Sequence, residues 1–491
     1  MLVLGAKSEN QGGMTMEPSN NKFDFIVVGG GPSGAFFVYE MLQKHPEARI
    51  LVIERGKAVE NRNCPESKLG KCIKCKPFCN ITSGFSGAGA FSDGKLSLFN
   101  DDDEDFYVGG NLHKYIGVEE TKRVIKYTDD IYLKFGATTE LEGISNPAKV
   151  SKIRKKAKSV GLELVNIPIR HLGTDRAHVV YKKLQDHLIE HGATILFETE
   201  VVDLIVSDEK IEGVVYQNNH SHIEETAFAD KVVLAVGRAG ADWLEGMCKK
   251  HKINSSPAVL DVGVRYELPD TVMAEINEYL YEGKFFGNPN PFNDNEKVRT
   301  FCQNPSGFVS AEVYKNGLIL ANGHSCKDIK STNTNLALLV SIKMPDIDSP
   351  MEYSRNIGRI LNDLADGNVM VQRLEDMRIG RSTAKAELDN NSVVPTLKSA
   401  VPGDLSMGLP YRVVMDILGF IDMMEQVVPG FAHPDNLIYG PELKFYSNKV
   451  KLSQNFETNI NGLYAIGDGC GLTRGLMMAS AAGVVLAQKI M

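Results

Sequence analysis

A glycine-spaced turn, Gly29-Gly30-Gly31-Pro32-Ser33-Gly34, stands between a short apolar run and a helical segment. Phe23 to Val28 is apolar and β-branched, with the length of a buried parallel strand. Ala35 to Lys44 has helical composition, and Arg49 to Glu54 reads as a second strand. Together they form a βαβ unit. In that setting the spacing Gly29-x-Gly31-x-x-Gly34 has physical meaning. Gly29 permits a tight turn, Gly31 lets a pyrophosphate approach the backbone, and Gly34 lets the helix pack closely on the strand. The helix N-terminus offers N–H groups to that pyrophosphate. Glu54 ends the second strand, 20 residues after Gly34. Its carboxylate is placed to accept ribose hydroxyls, which favours NAD or FAD over NADP.

The far end of the chain favours FAD. Asn461 to Gly469 reads as a strand ending in Gly467-Asp468. Glycine allows close approach, and Asp468 is a candidate for a polyol hydroxyl. Gly471 to Gly475 then opens a helix, Leu476 to Lys489. A helix N-terminus beneath an isoalloxazine stabilises negative charge at its N1/O2 edge. The candidate cofactor contacts at the first turn are Gly29, Gly31, Pro32, Ser33 and Gly34, with Glu54 and Arg55 after the second strand. In the middle of the chain they are Ser86, Gly87 and Gly89, then Val202 and Gly237. At the end they are Gly467, Asp468, Gly475, Leu476 and Met477.

These pieces resemble the two-dinucleotide-binding-fold flavoproteins of the glutathione-reductase type. The resemblance rests on Ile26 to Gly34 with Glu54, on Val232 to Gly237, and on Leu463 to Asp468. More closely, the chain resembles the family of FAD-dependent dehydrogenases. That likeness rests on Gly84-Phe85-Ser86-Gly87-Ala88-Gly89-Ala90-Phe91-Ser92-Asp93-Gly94-Lys95, on Arg170-His171-Leu172-Gly173-Thr174-Asp175, and on Asn335 to Val340. It spans most of 23–491 and implies an FAD domain assembled from discontinuous pieces. The chain departs from the family at Asn304-Pro305-Ser306-Gly307, where Cys-Pro-Gly-Gly is common, and at Arg474, where a small residue is usual. It has no second strand-linked GxGxxG. A pyridine nucleotide, NADH or NADPH, is therefore expected only as a transient reductant.

Half of the eight cysteines fall close together: Cys64, Cys72, Cys75 and Cys79, spaced C-x7-C-x2-C-x3-C among lysines. Three readings follow. Four thiolates can bind an iron–sulfur cluster or a zinc ion, with the lysines lowering thiol pKa values. Cys72 and Cys75 can be a dithiol exchanging electrons with flavin. The third reading is a loop of reduced, non-ligating thiols. By the resemblance, this stretch passes along the pyrophosphate towards the flavin.

Gly84 to Lys95 is too rich in glycine for a regular element, and its amides can approach a flavin closely. Hydride chemistry belongs to the flavin, so the protein must position a substrate and manage a proton. The candidates are Lys95, His171 and His324 for proton or flavin contact, and Arg265 as an anchor for an anionic substrate. No Ser-His-Asp order and no HExxH pattern suggests a hydrolase.

The expected fold is α/β: a discontinuous doubly wound, Rossmann-like FAD-binding domain with an inserted α+β substrate or cap domain. The boundaries read as a flexible tail 1–22, a first FAD-binding segment with the Cys-rich loop 23–105, and an insertion 106–170. A second FAD-binding segment follows at 171–254, the cap at 255–435 and a third FAD-binding segment at 436–491. Net charge is −8, from 54 basic and 62 acidic residues, which argues against nucleic acid as a partner. No apolar run is long enough for a membrane span. The first 22 residues do not read as a secretion signal, so a cytoplasmic location is expected. The function expected is an FAD-dependent oxidoreductase passing a hydride between flavin N5 and a small organic substrate. One alternative couples the flavin to the cysteine-bound cluster or dithiol and thence to a redox protein partner. Another is a non-catalytic or RNA-modification-related flavin protein, with Lys152 to Lys158 as its basic stretch.

Overall fold

The computed structural model describes residues 22–64, 75–91, 94–99, 109–256, 260–280, 283–290, 296–313, 317–324, 329–342, 350–444 and 449–490. Cys72, Ser92, residues 101–105 and residues 1–21 of the expected tail lie outside them. Numbered along the chain, the helices used below are α1 (Pro32–Lys44), α2 (Val118–Lys134), α3 (Thr174–Glu190), α4 (Pro350–Leu364), α5 (Tyr411–Val427) and α6 (Leu476–Lys489).

The first sheet is parallel and five-stranded. Its order is Leu463–Ala465, Val232–Leu234, Phe25–Val28, Ile50–Ile53, Thr194–Leu196. Every residue of Phe25–Val28 and Ile50–Ile53 is buried, as expected for strands covered on both faces. The three segments read from the sequence as FAD-binding pieces are thus neighbouring strands, 25–28, 232–234 and 463–465. Their C-terminal ends share one edge, the usual ligand position in an open α/β sheet. Helices α1 and α6 cover one face and approach until a Cβ on Gly483 would lie 2.2 Å from the Ser33 carbonyl oxygen. A second sheet (Thr199–Ser207, Lys210–Asn218, Glu224–Ala229, Lys22–Phe23), antiparallel except for the parallel pairing of Lys22–Phe23, sits beside it. Its first hairpin turns through Asp208 and Glu209, both with positive φ, as a two-residue hairpin loop demands.

The third sheet has eight strands and is mostly antiparallel. Its order is Val401–Pro402, Met370–Arg373, Leu437–Lys444, Leu260–Pro269, Asn333–Ile342, Lys297–Asn304, Lys284–Gly287, Leu162–Val165. On the central strand Val262, Val264, Tyr266 and Leu268 face an apolar core shared with α4 and α5. The alternate residues Asp261, Arg265 and Glu267 are equally buried but polar. Two expected boundaries shift here. Leu437–Lys444 pairs along Asp261 to Glu267 rather than joining the last FAD-binding piece. Leu162–Val165, expected within a separate insertion 106–170, forms the far edge of this sheet against Lys284–Gly287. Both are long-range pairings that strand chemistry alone does not reveal.

Helix limits follow the sequence closely. The expected helix Leu476 to Lys489 matches α6, and the one from Ala35 to Lys44 gains Pro32 to Gly34 at its start. Helix α3 starts at Thr174, with Gly173 in the N-cap position. The basic stretch 152–158 lies on the helix Pro147–Ser159, where Lys152, Lys155 and Lys158 are exposed and Lys156 donates to the Val427 carbonyl at 2.8 Å. Among the described residues no helix is long and apolar enough to cross a membrane.

Candidate functional site

The turn after Phe25–Val28 is built from backbone contacts. A Cβ on Gly29 would meet the Ala235 carbonyl oxygen at 2.5 Å, and one on Gly34 the Gly29 carbonyl oxygen at 2.2 Å. Both glycines serve close packing. Gly31 differs: the nearest atom to its Cβ position is 4.0 Å away. Pro32 opens α1, and Ser33 is buried behind it. A Cβ on Gly467 would lie 2.6 Å from Ser33 Oγ, and one on Gly469 would lie 2.5 Å from the Gly237 carbonyl oxygen. The first, second and third segments therefore interlock at their turns.

Glu54 carries an additional load. Its Oε2 accepts from the Gly30 N–H at 2.8 Å, and its Oε1 accepts from the Gly56 and Gly84 N–H groups at 2.8 and 2.9 Å. The carboxylate thus pins three turns together. With three of about four acceptor positions engaged, room remains for a ribose hydroxyl. Arg55 bonds the Ala239 carbonyl at 2.9 Å and lies 4.6 Å over the Phe78 ring. Burial lowers its pKa. Val202 is half-buried at a register shift in the antiparallel sheet.

Sequence reasoning missed Arg62. It is 1% exposed and donates to the carbonyls of Asn80, Ile81 and Phe85 at 2.8, 2.7 and 2.6 Å. Burial pushes its pKa down to about 10. The guanidinium fastens the cysteine loop to the glycine loop. No local pattern announces this, because the acceptors are main-chain oxygens some 20 residues onward. Ser86 adopts φ 68° and donates its N–H to the Gly30 carbonyl at 2.7 Å, which sets Gly87 and Gly89 beside the first turn.

At the far end Gly467 has φ 84°, and Asp468 accepts from Thr473 Oγ1 at 2.8 Å and the Gly475 N–H at 3.2 Å. Burial pushes the Asp468 carboxyl up, while Arg238 and these donors pull it down. Gly475 is the N-cap residue of α6, followed by half-buried Leu476 and buried Met477. A Cβ on Gly237 or Gly475 would meet nothing within 4 Å, and one on Gly87 nothing nearer than 3.8 Å. With Gly31 they form a cradle of bare backbone along one edge of the parallel sheet. That arrangement fits a dinucleotide laid across the turns.

The acid–base candidates divide. Lys95 and His171 are cross-strand partners in a small antiparallel pair, Lys95–Ser97 with Ile169–His171. His171 Nδ1 lies 3.9 Å from Glu142 Oε1. Neighbouring Arg170 makes a buried bidentate pair with Asp129 at 2.7 and 2.6 Å. His324 belongs instead to the hairpin Phe308–Val313/Ile319–His324, where its exposed ring stacks on Phe308 at 5.8 Å. Arg265 requires a correction. It is fully buried, with Nε 2.9 Å from Glu442 Oε2, and it also donates to the Cys302 carbonyl and Asn322 Oδ1. Its charge is neutralised inside the eight-stranded sheet, so it does not present an anchor to an incoming anion.

In the cysteine loop, Cys64 and Cys75 are half-buried and Cys79 is exposed. Among the described residues no group of three or more His, Cys, Asp or Glu is arranged to hold a metal ion. Cys72 lies outside those residues, and the four-thiolate set with it.

Two family models match the chain. One, the FAD binding domain, matches residues 148–268, and the other, FAD-dependent protein, C-terminal domain-like, matches residues 259–444. An uncharacterized protein of Clostridium beijerinckii is 26% identical over 487 residues, covering 95% of this chain and 80% of that protein. Among solved structures, the formate oxidase of Aspergillus oryzae is 13% identical with a TM-score of 0.43, over 96% of this chain and 98% of its own. Pyridoxine 4-oxidase from Mesorbium loti is 12% identical with a TM-score of 0.41, over 95% and 99%.

Proposed function

We propose that this chain, an FAD-dependent oxidoreductase, passes a hydride between flavin N5 and a small organic substrate brought to the edge of the glycine cradle. The observation that carries the reading is the interlocking of three distant turns, at Gly29–Gly34, Gly237 and Gly467–Gly475, around backbone left bare by glycine. Gly31 and the α1 N-terminus would take the pyrophosphate, and Glu54 a ribose hydroxyl. Asp468 would accept from the polyol. The α6 N-terminus would favour negative charge at the isoalloxazine edge. Flavin supplies the hydride chemistry when bound. The chain's own role at the substrate is proton handling, which we assign to His171 Nε2 with Lys95 as its cross-strand neighbour. The order of the pieces along the chain supports a glutathione-reductase-type arrangement.

A second reading gives the cysteine loop an electron-transfer role. Arg62 favours it, because it ties the carbonyls of Asn80 and Ile81, next to Cys79, to the glycine loop. Here electrons would pass between the flavin and the thiol loop, with a redox protein or NAD(P)H as the external partner.

One set of measurements tests both readings. The anaerobically purified full chain is reconstituted with FAD, and its absorption is recorded before and after NADH or NADPH, alongside iron and sulfide analysis. The first reading expects flavin bands and turnover that survives Cys79→Ser. Protein that takes up no FAD overturns it. Turnover abolished by Cys79→Ser with flavin retained transfers support to the second reading.

A further inference from the structure

Beneath the glycine loop lies a polar cluster that the reading above does not use. Tyr132 on α2, Tyr181 on α3 and Ser480 on α6 are each at most 1% exposed. Tyr132 Oη lies 2.9 Å from Tyr181 Oη and 2.8 Å from Ser480 Oγ. Ser480 Oγ donates to the Leu476 carbonyl, one turn earlier, at 2.9 Å. Once the serine proton is committed there, Ser480 accepts from Tyr132, and Tyr132 accepts from Tyr181. Direction along the network is therefore single: Tyr181 to Tyr132 to Ser480 to the Leu476 carbonyl. Burial pushes the Tyr132 phenol up to about 12 and the Tyr181 phenol well up, so both remain donors.

Both ends of this network reach the candidate flavin site. A Cβ on Gly89 would lie 3.0 Å from Tyr181 Oη and 2.9 Å from Leu476 Cδ2. Gly89 belongs to the short helical turn Gly87–Phe91, and Leu476 is the first residue of α6. One end thus touches the glycine loop, and the other holds the first carbonyl of the helix that points at the same space. A serine bonding back to the carbonyl four residues earlier also bends its helix. Three hydroxyls in an apolar core incur a desolvation cost that Phe, Phe and Ala would avoid. A fully satisfied buried network of this kind fixes one arrangement of the elements that carry it.

We propose that Tyr181, Tyr132 and Ser480 are positioning residues that fix the distance between the Gly87–Phe91 turn and the N-terminus of α6, and thereby set the reduction potential of the bound flavin. The effect of a helix terminus on a charge is confined to its first turn, so a small shift of α6 changes how far it stabilises reduced flavin. The inference rests on FAD lying between these two segments.

The test uses the FAD-loaded full chain with Tyr181→Phe and Ser480→Ala. The flavin midpoint potential, the FAD dissociation constant and Tm are measured for each. Removing the oxygen of Tyr181 is expected to move the potential negative and to weaken FAD binding, both through the displaced N-terminus of α6, and to lower Tm through the loss of one buried hydrogen bond. Ser480→Ala should move the potential in the same direction, and it supplies the answer if Tyr181→Phe does not fold. An unchanged potential in the folded variants, whether or not Tm falls, overturns the proposal. Wild-type chain that binds no FAD overturns the flavin reading itself, before the variants are compared.

Discussion

Asp468, the proposed acceptor for the polyol, is held against its own electrostatic preference. Its carboxyl is pushed up by burial, the largest cause, despite Arg238 and two hydrogen-bond donors nearby. A folded-state value above the unfolded one means that the folded chain holds the proton more tightly. That contribution to stability is present below the unfolded pKa and is lost as pH rises through the folded one. Asp468→Asn removes the titration while keeping one acceptor oxygen. The Tm difference, variant minus wild type, should therefore grow in the variant's favour from about pH 4 to about pH 7. FAD affinity should fall, because the polyol loses a charged acceptor. Melting curves of both FAD-free chains across that range check this, and a difference flat with pH refutes it. Arg62 makes the complementary point. Its donors are spent on the main chain of two loops, so it organises the site without being available to a ligand.

Among the elements, the strand–turn–helix at 25–44 separates glycines required by close packing from Gly31, which packing does not require and which we propose faces the cofactor. Gly34→Ala would drive a methyl to 2.2 Å from the Gly29 carbonyl oxygen, between helix and strand. Overpacking of that kind costs about 1–3 kcal/mol or more. Gly31 has φ −69° and ψ 179°, open to any residue, and its Cβ position is 4.0 Å from the nearest atom. Gly31→Ala is therefore expected to leave the Tm of the FAD-free chain near wild type while weakening FAD binding. Paired melts and FAD titrations distinguish the two variants. Equal loss of Tm in both would mean that Gly31 is a packing glycine after all. The same contrast explains why the motif was legible in the sequence. Its spacing encodes a strand, turn and helix contiguous in the chain, in which Gly34 packs on Gly29 locally, while the Ala235 contact of Gly29 comes from the residue after a distant strand.

At the scale of the molecule, the described residues form two large apolar cores, one around the parallel sheet and one under the eight-stranded sheet. The eight-stranded sheet carries a buried ion pair, Arg265 with Glu442, both with side chains 0% exposed. Arg265→Ala would leave the Glu442 carboxylate buried, with Lys444, 2.9 Å away, as its remaining ion-pair partner among the described residues. Breaking a buried pair costs about 3–5 kcal/mol when the remaining charge is left without a partner, so with Lys444 retained the loss is expected at or below the lower end of that range. The loss falls on the second core, so calorimetry should resolve an early transition for that sheet and a later one for the FAD-binding body. A single cooperative transition, shifted as a whole, would show the two cores to be one unfolding unit.

The amino-acid sequence by itself determined the parallel-strand pieces, the glycine turns and the helices that follow them, because strand length, β-branching and glycine spacing act over a few residues. It also singled out Glu54 and Asp468, which stand at fixed offsets from their turns, as the acceptors proposed for the cofactor. Only the tertiary structure decided the rest. It drew Leu437–Lys444 and Leu162–Val165 into one sheet and buried Arg265 against Glu442. It also joined Tyr181, Tyr132 and Ser480 from three helices. Those outcomes depend on which distant surfaces meet, and a hydrogen bond between residues hundreds of positions apart leaves no periodicity in the chain to read.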